Sequence, residues 1–165
     1  MNHGPRPTTT LVPMTETQFE AYLEAAIPAY AADKVASGQW AEEEALESSR
    51  RSYAELLPRG PATPGHRLYV LQDEQGAEVG VVWIGEHAEA TRRVAFVYDV
   101  AVHQEYRRRG HAERAFLALE EVVRSLGLTG IGLHVFGHNA AARALYAKLG
   151  YRETNVNMFK EVGQG

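Results

Sequence analysis

The stretch Val100-Ala-Val-His-Gln-Glu-Tyr-Arg-Arg-Arg-Gly-His-Ala112 reads as the end of a buried strand, a short basic turn and the start of a helix. Such a junction aims several backbone N–H groups and the positive end of a helix dipole at one spot, which makes an anion site. Arg107, Arg108 and Arg109 add charge beside those amides. Gly110 allows a tight turn and close approach of a ligand. Ala112 is small enough to let the ligand sit against the helix start. Successive amides from Arg107 to Ala112 form a candidate nest for a pyrophosphate. An ordinary strand-to-helix turn with solvated arginines fits the stretch equally well at this point.

Outward from this turn, Arg93 to Val102 is nearly continuously apolar, which predicts a central strand buried on both faces. Gly110 to Leu126 predicts a helix whose apolar stripe is Ala112, Ala115, Phe116, Leu119, Val122, Val123 and Leu126. Gly130 to Phe136 predicts a further strand, and Asn139 an N-cap for a helix ending near Gly150. Upstream, Arg67–Gln72 and Glu78–Ile84 read as strands joined by a hairpin at Gly76, with 85–91 as a loop. Thr9–Val12 is a candidate first strand. Thr15 and Gln18 form a capping-box pattern before a helical repeat of Phe19, Tyr22, Leu23, Ala26 and Ile27, which Pro28 should end or kink. Ala41–Leu57 predicts a second helix, and 152–162 a closing strand. Hairpins plus one strand–helix–strand crossover imply an α/β class, with a mixed sheet covered by helices on both faces.

At 165 residues, with 45% apolar and 23% charged residues, the chain has the size and composition of one soluble domain. We expect a flexible lead-in over residues 1–10 and a single domain over 11–165. The sequence has no apolar run long enough to span a membrane and no signal-peptide pattern in its first ten residues. It has no cysteine, which excludes disulfides and thiolate chemistry and fits a cytoplasmic location. Residues 1–90 carry 6 basic and 14 acidic side chains; residues 91–165 carry 11 and 7. The second half suits a phosphorylated ligand and the first a cationic partner. An acidic chain with its basic run in one short turn is a poor nucleic-acid binder. His134 and His138 sit at a strand end broken by Gly137, so no metal site is expected.

Other phosphate motifs fail: there is no P-loop, and the glycines at 127, 130 and 132 open no helix. A second segment adds to the first. Tyr146 lies two helical turns beyond Asn139, so the two share roughly one face. Arg107-x-x-Gly110-x-Ala112 resembles the Gln/Arg-x-x-Gly-x-Gly/Ala motif of the GNAT superfamily of N-acetyltransferases. Asn139-x-x-Ala142-x-x-Leu145-Tyr146-x-x-x-Gly150-Tyr151 resembles that family's downstream signature. The pair, in order and with the right separation, is specific, and the resemblance covers roughly residues 67–160.

The resemblance implies a GNAT-like fold and an acetyl-CoA-dependent N-acetyltransferase acting on a primary amine by direct aminolysis. It implies that Val100, Ala101 and Val102 hold the pantetheine arm as an added strand. It also implies that the amides of Arg107, Arg108, Arg109, Gly110, His111 and Ala112 hold the pyrophosphate, with Glu113 next in line. Asn139 would bond the pantetheine arm, and Tyr146 would act as general acid toward the departing thiolate. Three candidates stand for the base: a water relay, Asp99 and Glu86. Simple alternation turns Asp99 to the face opposite Tyr98 and Val100. His103-Gln104 departs from the family's acidic residue and proline, and Arg109 and His111 occupy variable motif positions. Tyr30 and Trp40 are candidates to border the acceptor groove, and the acidic first helices suggest a cationic acceptor, a polyamine-like molecule or a protein amino group. The expected assembly is a monomer or homodimer. A non-catalytic acyl-CoA-binding module is the alternative reading.

Overall fold

A computed structural model of the chain describes Gly4 and residues 6–164. The described chain divides into two compact units, one running to Leu133 and one beginning at His134. The first unit holds a five-stranded sheet in the order β1 (Thr9–Pro13), β2 (His66–Asp73), β3 (Glu78–Ala88), β4 (Arg93–Val102) and β5 (Ile131–Leu133). Neighbours are antiparallel up to β4, and β5 runs parallel to β4. The crossover between those two is α3 (His111–Ser125). Helices α1 (Glu16–Ala36) and α2 (Glu42–Leu56) lie between β1 and β2 in sequence. The expected mixed α/β sheet is therefore present. Of the expected lead-in, Met1–His3 and Pro5 lie outside the described residues, and Thr9 and Thr10 belong to β1.

Local sequence explains most element boundaries. The Thr15 hydroxyl accepts from the Gln18 N–H at 3.2 Å, while the Gln18 side chain accepts from the Thr15 N–H at 2.9 Å. That reciprocal box starts α1. Of the two outcomes expected at Pro28, the helix does not end there but continues to Ala36. The proline removes one backbone bond from the helix, but α2 packs against that turn, and the buried Ser49 hydroxyl donates to the Ile27 carbonyl at 2.8 Å. Strand β3 runs on to Ala88 where a loop was expected, because a tight turn at 89–92 returns the chain, with Glu89 N–H on the Arg92 carbonyl at 2.8 Å.

The two faces of the sheet have separate cores. One face meets α1 and the loop after α2 through Met14, Phe19, Tyr22, Leu57, Leu68, Val70 and Trp83. The other carries Leu71 and Ile84, and α3 buries Ala115, Phe116, Leu119 and Val123. Those four belong to the stripe read from the sequence. Only the first half of β4 is deeply buried, however, because β5 is shorter than expected and pairs with Ala95, Phe96 and Val97 alone.

The second unit contains α4 (Ala140–Lys148), capped by Asn139, whose side chain accepts from the Ala142 N–H at 3.2 Å. Residues 151–164 form no strand, so the expected closing strand is absent, and Val156, Met158, Phe159 and Val162 are exposed. No helix among the described residues is long and apolar enough to cross a membrane.

Candidate functional site

The site grows from one irregularity in β4. Asp99 pairs with Trp83, but Val97 pairs with Ile84, so Tyr98 is an extra residue with no partner on β3. This β-bulge resets the alternation of the strand. Before it, the Ala95 N–H points to the β5 side, where it meets the Gly130 carbonyl at 2.9 Å. After it, the His103 N–H points to β3 and meets Val79 at 2.8 Å. Alternation from His103 then turns the backbone groups of Val100 and Val102 to the β5 side. There β5 has already stopped, since its pairing ends at Val97. Val100 to Val102 thus present an open strand edge.

The bulge also corrects the expected orientation of Asp99. Tyr98 and Asp99 both lie on the face of Trp83, the face covered by α1 and α2, rather than on opposite faces. Asp99 accepts a hydrogen bond from the Tyr22 hydroxyl at 2.6 Å. Burial pushes its carboxyl above the usual carboxylate range, opposed by the hydrogen bonds from Tyr22 and from the Val100 N–H. Burial and the Asp99 charge together push the Tyr22 phenol strongly up, and the adjoining Tyr53 is pushed up to about 12, mainly by burial. Both phenols therefore stay protonated, and Tyr22 serves Asp99 as its donor.

Rings surround this carboxylate. Trp83 stacks on Tyr98 with centroids 4.6 Å apart, and Tyr53 lies 5.8 Å from Trp83. Tyr53 meets Tyr30 at 6.0 Å, and Tyr30 meets Trp40 at 5.4 Å. The expected acceptor-side residues Tyr30 and Trp40 are thus joined to Asp99 through a continuous series of aromatic contacts. The Lys34 ammonium sits over both, 5.4 Å from the Tyr30 centroid and 5.7 Å from the Trp40 centroid. Glu86 is not brought to Asp99. It pairs with Ala95, two residues from Ile84 on β3, which sets it on the sheet's other face, and its carboxylate is bound to Arg93 at 2.7 Å.

The basic turn has the form expected of an anion cradle. Arg108 has φ 63° and Gly110 φ 80°, and α3 begins at His111 with no side-chain cap. Left-handed residues turn successive N–H groups to one side, and the helix start adds its own. The arginine side chains brace the turn. Arg107 Nε donates to the Val102 carbonyl at 3.0 Å, and Arg109 lies over the Tyr106 ring. Arg114, which the sequence did not single out, donates to the Arg109 carbonyl at 2.8 Å and to Thr9 Oγ1 at 3.1 Å. His111, a variable position of the motif, is 5% exposed with Nδ1 2.9 Å from Thr9 Oγ1, so only its backbone faces the turn. Burial, reinforced by Arg114, lowers its pKa.

Gly110 is favoured by its left-handed φ; a Cβ there would also lie 2.6 Å from Arg114 Nη1, the movable end of a flexible side chain. Gly110→Ala is expected to lower stability by roughly 1–2 kcal/mol from backbone strain alone. Urea titration measures that loss, and acetyl-CoA affinity should fall with it.

In the second unit, Asn139 caps α4 and Tyr146 lies at the end of its second turn. Burial raises the Tyr146 phenol pKa, and its ring meets Tyr151 at 5.6 Å. Tyr22, Tyr53, Trp83 and Tyr98 were missed as site residues. Tyr22 showed only the helical spacing of a core position, and the others carried no motif.

The acetyltransferase (GNAT) family model matches residues 24–151. The chain is 39% identical over 155 residues to the Bacillus subtilis (strain 168) protein named uncharacterized N-acetyltransferase YycN, covering 94% of this chain and 99% of the relative. A second protein of that organism, named uncharacterized N-acetyltransferase YdgE, is 35% identical over 153 residues, 93% of this chain and 98% of its own. The crystal structure of YycN superposes with a TM-score of 0.86, covering 95% of this chain and 100% of that one. An aminoglycoside 6'-N-acetyltransferase from Acinetobacter baumannii shares the fold at 17% identity and a TM-score of 0.60, over 95% of this chain and 99% of that one. With the family matched across most of its length and a relative covered end to end, the chain belongs to the GNAT acetyltransferase family.

Proposed function

We propose that this acetyltransferase moves the acetyl group of acetyl-CoA to a primary amine, with Asp99 as the base and Tyr146 as the general acid. The observation that carries the reading is the bulge at Tyr98, which sets a half-buried carboxylate beside the open edge of β4. The residues present fit the cofactor. An extended pantetheine arm with its own amides suits the stretch of β4 edge that β5 leaves uncovered, where Arg107 Nε holds the Val102 carbonyl and Asp99 the Val100 N–H. A pyrophosphate suits the turn from Arg107 to Ala112, with Glu113 in the first turn of α3 and Asn139 as a further polar contact for the arm. Bound acetyl-CoA supplies an activated thioester carbonyl.

The rest is work for the chain itself. An alkylammonium has a pKa of about 10.4 and must lose a proton before it can attack. Asp99 receives that proton, directly or through water. Its raised pKa makes it a better base than an exposed carboxylate, and the Tyr22 hydroxyl steadies the charge. A backbone N–H of Val100–Val102 polarises the acetyl carbonyl. Tyr146, protonated at neutral pH, donates to the departing sulfur. Glu86 has no part in this scheme, because Arg93 holds it on the other face. The acceptor is taken to arrive as a cation, in keeping with the acidic first helices; the faces of Tyr30 and Trp40 are already engaged by the Lys34 ammonium.

The test is release of CoA thiol on mixing protein, acetyl-CoA and a panel of primary amines. The chain has no cysteine, so it adds no background to thiol detection. Amine-dependent release with mass-detected acetylated product is expected. Tight acetyl-CoA binding without amine-dependent release would favour a binding module instead.

A further inference from the structure

The face of the sheet that holds Asp99 is lined with rings. Beyond the Trp83–Tyr98 stack, Tyr98 meets Phe96 edge-on at 5.1 Å, and His87 lies flat on Phe96 at 5.2 Å. The His87 Nε2 and the Tyr98 hydroxyl are 2.8 Å apart. His66 accepts from Trp83 Nε1 at 3.0 Å and packs against Tyr98 at 5.4 Å. Gly85 makes this possible, since a Cβ there would lie 2.6 Å from Tyr98 Cε2. Trp83 is buried, but Phe96, Tyr98 and His66 are partly exposed and His87 is exposed. The array therefore offers a surface of ring faces and edges that runs from Asp99 along the first half of β4.

Its charge is sparse. Asp99 is the carboxylate at one end, and burial, with the nearby His87, lowers the pKa of His66 toward the neutral ring. Glu86 and Arg93 neutralise each other on the opposite face. Lys34, near Trp40, is a cation itself. A polyamine would find one partner for its several charges. A single ammonium on a flat apolar body matches both the carboxylate and the rings.

Building on the acetyl-transfer reading, we infer that the acceptor is an arylalkylamine, with its ammonium at Asp99 and its ring on Tyr98, Phe96 and His87. Thiol release compares phenethylamine, its saturated counterpart cyclohexylethylamine, and spermidine. kcat/KM for phenethylamine should exceed that for cyclohexylethylamine by about tenfold, the usual worth of an aromatic pair, and exceed that for spermidine further. Phe96→Leu keeps apolar bulk but removes a ring face. It should erase the phenyl preference while leaving the KM for acetyl-CoA unchanged. Equal use of the phenyl and cyclohexyl amines, a better rate with spermidine, or an undiminished preference in Phe96→Leu overturns the inference. Quenching of tryptophan fluorescence on the acetyl-CoA-loaded protein separates this from failure of the transfer reading. Phenethylamine that binds more tightly than cyclohexylethylamine without turnover supports the site and defeats the catalysis. No difference in binding defeats the site.

Discussion

Asp99→Asn is expected to lower kcat by about 10²–10⁴-fold, the range lost when a positioned general base is removed, while the dissociation constant for acetyl-CoA stays within a few-fold. The affinity should hold because the carboxylate faces α1 and the ring array, whereas the open edge uses backbone groups. The sign of the stability change gives a second check. The Asp99 pKa is raised in the fold, so the folded protein binds its proton more tightly than the unfolded chain does. Ionisation therefore weakens the fold as pH rises from the usual carboxylate range through the folded pKa. An uncharged asparagine removes that penalty, and Tm at neutral pH should not fall. Tyr22→Phe removes a hydrogen bond that favours the ionised carboxylate, so the acid limb of the kcat/KM profile should move to higher pH. An unchanged kcat in Asp99→Asn would leave the proton to water alone.

Tyr146→Phe should cost turnover on a similar scale, about 10²–10⁴-fold, with acetyl-CoA binding nearly kept. The phenylalanine fills the same volume on α4, so the helix and its Asn139 cap should persist, and circular dichroism can verify this. Burial raises the phenol pKa, so the residue holds its proton across the neutral range and would lose it only above the usual tyrosine value. Activity in the wild type should therefore show no alkaline loss from this group near pH 8. Full activity in Tyr146→Phe would transfer the acid role to another donor.

Much of the local structure around the basic turn was readable from the chain. The strand, turn and helix from Val100 to Ala112 depend on contacts between near neighbours, as does the Asn139 cap, and local patterns report such contacts well. The acceptor side was not readable, for a physical reason. A bulge is a mismatch between two strands, so nothing in 93–102 alone says that Tyr98 lacks a partner. Alternation counted from sequence then sent Asp99 to the wrong face. The Tyr22–Asp99 bond joins residues 77 apart, and nothing local connects them. The surroundings of Pro28 and His111 are likewise set by residues distant in sequence. Ser49 on α2 supports the first, and Thr9 on β1 buries the second.

The extra residue at 98 also divides the labour along one strand. On the far side of it, the proposed hold on the donor is through main-chain atoms, which are the same whatever the side chains are. On the near side, the proposed contacts of Phe96, Tyr98 and Asp99 with an amine are through side chains alone. Substitution in the near half can therefore change which amine is taken without altering the surface for the shared donor. A lineage could change substrates here through a few ring exchanges and keep the rest of its machinery. The bulge is the joint at which the variable half of the enzyme meets the fixed half.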